Sequence, residues 1–590
     1  MKKKLVSKRG IVAVLVVLFI AFFIMLIPIN LHAEEFWSTM IFASAMYCAC
    51  NFIETSADAL KERPEKTTLL RMLFKPFLVP IILVVAYGVF NLSGIEVFHA
   101  GGYASILQIE DAEFSEDLSE SVGTDSIALM DTASAKMLGD REIGSLSNVV
   151  SQYDVSEEYS QIDYKGSPKK VAALDYVGFF KWLNNRKSGV PGYVTVDPVS
   201  MSAEYSEVKS GMKYVPSAYF LDDAARHIYL HYPTTMFGNL HFEIDEEGNP
   251  YYVASVYAKK VSLFGGKTVS GCIIMDPITG DMEKYNLEDA PTWVDEVYDG
   301  NTICDQYNWY GTLSNGYINS LISKKGCKQV TRYNASDSDD MDDSAPTSDY
   351  GYVAKDGDIW IYTGVTSVNN DSSNIGFLLA NERTGEAHYF TVAGADEKSA
   401  MAAAEGEVQE KGYQASFPSL INVDGNPTYI MVLKDSSGLV KLYATVNVEQ
   451  YNLVTTASTQ SECMSKYKSL LGIAADAGEL DVEAAKEQLN ETSGNDDSAA
   501  MDAAGTGGSY GDDTEETVTA TDEADITIAQ IKYIDVDGNT YIYLIDADGN
   551  LYKAKAKNHE SMLLLNKGDT VHISYAKTEG DEAAEIADIE

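Results

Sequence analysis

Cysteine is scarce and positive charge is outnumbered two to one: the 590 residues hold six Cys, and 44 Lys+Arg stand against 88 Asp+Glu. So few thiols exclude a disulfide scaffold. The region beyond the N-terminal apolar runs has only Cys272, Cys304, Cys327 and Cys463, which leave room for a single bridge such as Cys304–Cys327. A formal charge of −44 repels phosphate backbones and excludes nucleic acid as a partner; over the bulk of the chain it repels anionic headgroups as well. There is no Cys-x-x-Cys and no His-Glu-x-x-His. Nothing in the sequence names a reaction or a cofactor.

Charge and long apolar runs are both distributed unevenly. Residues 1–75 carry ten Lys/Arg and six Asp/Glu, a net +4, which leaves −48 on the remainder. Gly10–Ile29 is an uncharged run long enough to cross a bilayer and longer than the apolar core of a cleaved signal peptide, its alternative. Uncharged stretches at 36–53 and 76–92 follow, the former more polar because of Ser38, Thr39, Ser44 and Asn51. Five Lys/Arg in the N-terminal tail, five in the 54–75 loop and none in the 30–35 turn predict three spans, a cytoplasmic N-terminus and an extracytoplasmic bulk. If the second stretch does not cross, the bulk lies in the cytoplasm instead.

The sequence divides into a membrane domain at 1–98, an acidic stalk at 99–170, and α+β material from 171 to 335. An acidic loop at 336–349 precedes further α+β units at 350–489. Residues 490–525 are rich in Gly, Ser, Ala, Asp and Glu and read as a disordered tether; alternation returns at 526–590 as a small β-barrel of the oligonucleotide/oligosaccharide-binding type. Val171–Arg186 has helical spacing. Three stretches, starting at Gly248, Asp356 and Asp424, share one order: a Gly/Asn turn, an aromatic strand, an apolar strand, a polar turn, a strand and a helix. Thr279-Gly280 and Thr384-Gly385 take the same turn position, while the third copy has Glu449-Gln450. The expected class is α+β, with N-terminal transmembrane helices, repeated two-layer modules having one sheet face covered, and the terminal barrel.

The segment Asp396–Gln450, a helix over Ala400–Tyr413 followed by strands near 417–421, 427–433 and 440–446, resembles the PepSY modules of extracytoplasmic bacterial proteins. That resemblance implies a binding or inhibitory role and carries over no catalytic residue.

Three patterns invite site readings. Ser262–Thr268 (SLFGGKT) ends like a phosphate loop, but Val261 stands where its first Gly belongs and a strand follows, so a hairpin turn is expected. Asp535–Asn539 and Asp546–Asn550 open like calcium loops, but Gly arrives at position four instead of six, and hairpin turns explain them. His227, His231, His241 and Glu243 could ligate a metal. With HIYLHYP read as a strand, residues four apart stand roughly 13 Å apart, too far for one ion, whereas on a helix they would converge.

The chain therefore reads as a membrane-anchored binding, scaffolding or regulatory protein of the bacterial envelope, with the lipid bilayer and protein or peptide partners. The alternatives are an envelope enzyme built on His227–Glu243 and a subunit of a membrane complex contacting through the polar second span.

Overall fold

The computed structural model describes residues 7–62, 73–118, 129–333, 347–348, 350–436, 438–477, 522–536, 539–546, 550–555, 570–576 and 584–589. The chain forms two units, Met1–Ser493 and Gly494–Glu590.

The first unit begins with three helices. Lys8–Phe19 continues as a π-helical turn, Ile20–Ile24, and leaves the helix before Pro28, so the first apolar run is helical over a shorter length than 10–29. Glu34–Glu62 and Leu78–Ser93 follow; the stretches Glu34–Ala57 and Lys75–Ser93 are long and apolar enough to cross a membrane. The first two helices run antiparallel, since Arg9 pairs with Glu54 at 3.7 Å while Phe22 stacks near Phe36 at the other end. Gly10 permits this approach, because a Cβ there would lie 2.7 Å from the Tyr47 ring.

Four larger sheets, antiparallel but for one edge strand, follow among the described residues, each with a helix after it. The first is built on Ser160–Asp163, Pro168–Tyr176, Val190–Asp197 and Ser202–Met212, with Tyr153–Val155 added at the edge and Ala224–His231 behind. The second comprises Phe237–Ile244, Pro250–Val261, Gly265–Met275 and Met282–Asn286, followed by Gly300–Leu313. The third is built on Gly351–Lys355, Asp358–Ser367, Asn370–Asn381 and Ala387–Phe390, followed by Glu397–Glu407. The fourth uses Ser419–Val423, Asn426–Lys434, Val440–Asn447 and Val454–Ala457, followed by Gln460–Ala477.

The same local chemistry shapes all four. The opening hairpins turn at Lys165-Gly166, Gly248, Asp356-Gly357 and Asp424-Gly425, with positive φ as tight hairpins require. At the end of the third strand of each, or its equivalent, Asp197, Asp276, Asn381 and Asn447 accept main-chain N–H groups two or three residues on, closing the next turn. The helices are capped by Asp223, Asp299, Asp396 and Thr459.

The expectation of a covered and an open sheet face is corrected. Tyr252 and Ala254 face a core shared with the first sheet, while Val253 faces one shared with Gly300–Leu313 and the third sheet. Trp360 and Tyr362 then meet the fourth sheet, and Ile361 and Val365 meet the second. The inner sheets are thus buried on both faces, which is why their strands are almost continuously apolar.

Three further expectations change. The stalk is woven into the fold: Ile109–Asp111 pairs in parallel with Ala387–Phe390, and Phe114 lies in the core between the third and fourth sheets. Val171–Arg186 divides into a strand ending at Tyr176 and a short helix, Phe179–Asn185. All six cysteines are free, with Cys304 and Cys327 both buried, so no Cys304–Cys327 bridge forms. Most of the acidic loop and nearly all of the tether, residues 334–346 and 478–521, lie outside the described residues.

In the second unit the strands begin at Asp522. Five strands, Asp522–Val536, Asn539–Asp546, Leu551–Lys555, Thr570–Ala576 and Ala584–Ile589, form one curled sheet in which the first pairs with both the second and the fourth. The third and fifth pair in parallel. Ile526, Ile542, Leu544 and Ile573 fill it.

Asp299 should be the most sensitive cap, because its carboxylate accepts from the Thr302 N–H at 2.8 Å and from the Tyr257 hydroxyl at 3.0 Å. Asp299→Ala is expected to lower stability by about 2 kcal/mol and Asp299→Asn by about half as much. Denaturant unfolding in detergent checks this by tryptophan emission, since all five Trp lie in the first unit; an unchanged midpoint in Asp299→Ala would remove the cap from the argument.

Candidate functional site

The apolar helices and the sheets meet through a dense set of polar contacts. The turn between the first two helices lies against the end of Ala224–His231 and the residues after it: Ile29 N–H donates to the Pro233 carbonyl at 2.8 Å, and Asn30 Nδ2 donates to the Thr234 carbonyl at 2.8 Å. Tyr229 donates to the Ile27 carbonyl at 2.8 Å, and Arg226 Nε to the Phe23 carbonyl at 3.0 Å. These contacts occupy carbonyls and amides that the end of the helix leaves unpaired. The SLFGG turn joins Pro250–Val261 to Gly265–Met275, as the hairpin reading expects. Its Leu263 carbonyl lies 2.8 Å from His32 Nδ1, its Ser262 hydroxyl 2.6 Å from that of Ser93, and its Phe264 ring packs on Trp37 and Tyr87.

Between the turn that joins the first two helices and the second sheet lies a cavity of about 560 Å³, within the size range of ligand sites. Leu26, Pro28 and Ala33 give it an apolar wall; Glu34, Glu35 and Glu158 supply negative charge, and Lys259 and Lys267 positive charge. Burial pulls the Lys259 ammonium below its ordinary range, with Glu34 and Glu35 opposing. Lys267 sits 3.9 Å from the centre of the Tyr257 ring, and Tyr257 is tied to Asp299. Both charge signs on an apolar floor suit a peptide or protein segment better than a single ion.

The four metal candidates separate into two pairs. His227 and His231 lie on a helix, not the expected strand, because Asp223 caps Ala224–His231; their ring centres are 6.0 Å apart. His227 is already engaged: its ring stacks on Tyr214 at 4.2 Å and its Nε2 lies 3.1 Å from the Gly280 carbonyl. Gly280 allows that approach, since a Cβ would meet His227 at 2.8 Å. His241 and Glu243 share one face of Phe237–Ile244, with Nε2 and Oε1 3.0 Å apart in an ion pair lacking good hydrogen-bond alignment. No group of three His, Cys, Asp or Glu side chains arranged to hold a metal occurs among the described residues.

His241 and Glu243 belong instead to a buried carboxyl hub that the sequence reading does not anticipate. Glu243 accepts from the N–H groups of Asp295 and Glu296 at 2.9 and 3.1 Å. Asp295 accepts from Asp163 N–H at 2.8 Å, and the Glu382 carbonyl accepts from Val297 and Tyr298. One short segment, 294–299, thereby ties the first three sheets together. Burial raises the Asp295, Glu296 and Glu382 carboxyls, reinforced for Asp295 by Glu243 and for Glu382 by Glu296. Burial alone would depress His241, but Glu296 and Glu243 carry it up to about 9. The available signal was the run TWVDEVY, in which two acids sit inside an apolar segment.

No protein-family model matches the chain, and no curated protein matches it.

Both shifts in the hub have the same sign for stability. Carboxyls raised in the folded state stabilise it below their ordinary range and lose that contribution as pH rises through their raised values. His241, raised from 6.5 to about 9, contributes fully below 6.5 and loses its contribution as pH rises through 9. The unfolding midpoint of the first unit should therefore fall between pH 6 and 9.5, and His241→Gln should flatten the part of that fall between 6.5 and 9.5. A midpoint independent of pH in the native chain would refute this. Glu243→Gln, which halves the acceptors for two buried N–H groups and leaves His241 with Glu296 alone, should cost about 2–4 kcal/mol in the same assay.

Proposed function

We propose that this is a membrane-anchored, non-catalytic extracytoplasmic binding and scaffolding protein of the bacterial envelope. Its helices cross the bilayer three times from a cytoplasmic N-terminus, and partners are received at the cavity between helices and sheets. The observation that carries this reading is the mount itself: at one end of the three-helix bundle, Phe23 and Ile29 contact Arg226 and Pro233, while His32, Trp37, Tyr87 and Ser93 contact the hairpin turn at 262–264. A ligand in the cavity touches both the helix turn and the second sheet, so occupancy outside is felt by the helices.

Four copies of one strand-rich module with a closing helix, one more than the sequence reading counts, make the scaffold. The recurring Asx-closed turns and capped helices support descent from a single unit. The Glu397–Glu407 helix followed by Ser419–Val423, Asn426–Lys434 and Val440–Asn447 supports the PepSY-like reading of that segment. The strand order of the second unit supports an oligonucleotide/oligosaccharide-binding type of barrel, proposed here as a shape without a ligand.

Protease shaving of intact cells, with an antibody to residues 522–590, tests the topology: loss of the epitope before lysis is expected, and its survival until lysis would sink the reading. Co-purification in mild detergent tests the cavity. Asn239→Trp, at an exposed position on its rim, should strip the bound partner without moving the unfolding midpoint. Identical partners in wild type and variant would remove the cavity from the function.

A further inference from the structure

Outside the N-terminal helices, most of the exposed large apolar side chains among the described residues gather in two places. One is an aromatic cluster around Phe179, Phe180, Leu183, Phe220 and Leu221, in which Phe180 is 76% exposed. The other joins Phe98, on the helix Glu96–Ala104, to Ile318, Leu321 and Ile322, on and after the helix Tyr317–Leu321 that packs beside it; Ile322 is 80% exposed.

Both adjoin the ends of the apolar helices. Phe220 shares a cavity with Phe19, Phe23 and Ile24, and Arg226 bridges the two sides, donating to the carbonyls of Phe220 and Phe23. Phe98 lies five residues beyond Ser93, where the third helix ends, and Tyr103 ties its helix back to the Gly94 carbonyl at 2.6 Å.

Charge singles out the same places. The exterior is strongly acidic, yet residues 176–196 hold Lys181, Arg186 and Lys187 without one acid, and 306–333 hold Lys324, Lys325, Lys328 and Arg332 without one acid; Asp222, next to Leu221 in the first patch, is buried and pairs with Arg186 at 3.2 Å. Apolar side chains rimmed by cations, level with the ends of membrane helices, have the composition of an interfacial lipid contact. A large exposed apolar patch on an otherwise polar surface marks an interaction site.

We infer that these two patches dip into the outer leaflet on either side of the helical bundle, with the exposed Lys187 and Lys325 on the headgroups of anionic phospholipid. The bulk charge forbids general adhesion to such a membrane, so contact is confined to these two basic, apolar footholds and holds the acidic sheets clear of the surface. This rests on the three-span reading and adds to it where the exterior sits on the bilayer.

The test uses the full chain in nanodiscs of anionic or purely zwitterionic phospholipid. Cys50 is replaced by Ser, the other five native cysteines being buried, and environment-sensitive dyes are placed singly by Phe180→Cys, Ile322→Cys, Val85→Cys in the third helix, or Tyr451→Cys, exposed outside both patches. In anionic discs, dyes at 180 and 322 should be quenched by headgroup-level spin-labelled lipid and shielded from aqueous iodide, whereas 451 should show the opposite. Removing one cation, by Lys187→Gln or Lys325→Gln, should weaken insertion of the nearby dye about fivefold in anionic discs and leave it unchanged in zwitterionic ones. Iodide access at 180 and 322 equal to that at 451 overturns the inference. Shielding from iodide without lipid quenching also overturns it, because a protein then covers the patch. A dye at Val85 that lipid quenchers fail to reach marks failure of the spanning reading itself, a separate outcome.

Discussion

The Glu243 carboxylate is the constraint on which the arrangement of the first three sheets depends. It is fully buried, and its two oxygens take the N–H groups of two successive residues, Asp295 and Glu296, with His241 beside it. A segment crossing between sheets has main-chain groups that no ladder satisfies, and burial makes each unpaired one costly. Glu243 satisfies two, the Glu382 carbonyl two more, and Asp163 enters through Asp295. Register between sheets that share no ladder is thereby fixed by polar contacts, while the apolar cores on either side supply most of the energy and little of the specificity. The concentration of acids at this crossing follows from need: carboxylates are the acceptors that can take several N–H groups at once.

The same logic acts at the junction with the helices. A helix end leaves its last carbonyls unpaired; Arg226 and Tyr229 meet this turn with donors, and the turn's own Asn30 donates to the Thr234 carbonyl. The SLFGG turn then fills the space between the second and third helices with Phe264. Its glycines serve a hairpin and a close approach to Tyr103, not a phosphate: a Cβ on Gly265 would lie 2.1 Å from the Tyr103 hydroxyl.

Much of this was legible in the residues, and the failures have physical causes. The α+β class, three of the four strand-and-helix units, the hairpin at Ser262–Thr268 and the two helices long and apolar enough to cross a membrane follow from turn residues and apolar runs, which are local signals. The first unit escaped because its opening turn is Lys165-Gly166 instead of an Asp-Gly pair, and its second turn positions Met201, not a glycine, at positive φ. HIYLHYP reads as strand by its aromatic and β-branched content, but Asp223 caps it and tertiary contacts make it helix. The stalk looked loose because a three-residue parallel edge strand, Ile109–Asp111, leaves almost no periodic trace. The carboxyl hub left a trace in TWVDEVY but not its assembly: its members lie at 163, 243, 295, 296 and 382, and only the sheet stacking brings them together.

Burial of the inner sheets on both faces also bears on the charge. With strands such as Asp358–Ser367 consumed almost entirely by cores, many acids of the first unit sit in turns, caps, sheet rims and the hub. Those in turns and caps do structural work at Asp197, Asp276, Asp299 and Asp396, so part of the −44 is the price of a fold made of Asx-closed hairpins and Asp-capped helices. A protein built this way is self-repelling near any anionic surface unless cations are concentrated where contact is needed. Residues 176–196 and 306–333, free of acids and placed beside the helix ends, are where the sequence breaks its own rule. In a chain this acidic, local absence of negative charge is the stronger signal, and it falls where the fold meets the apolar helices.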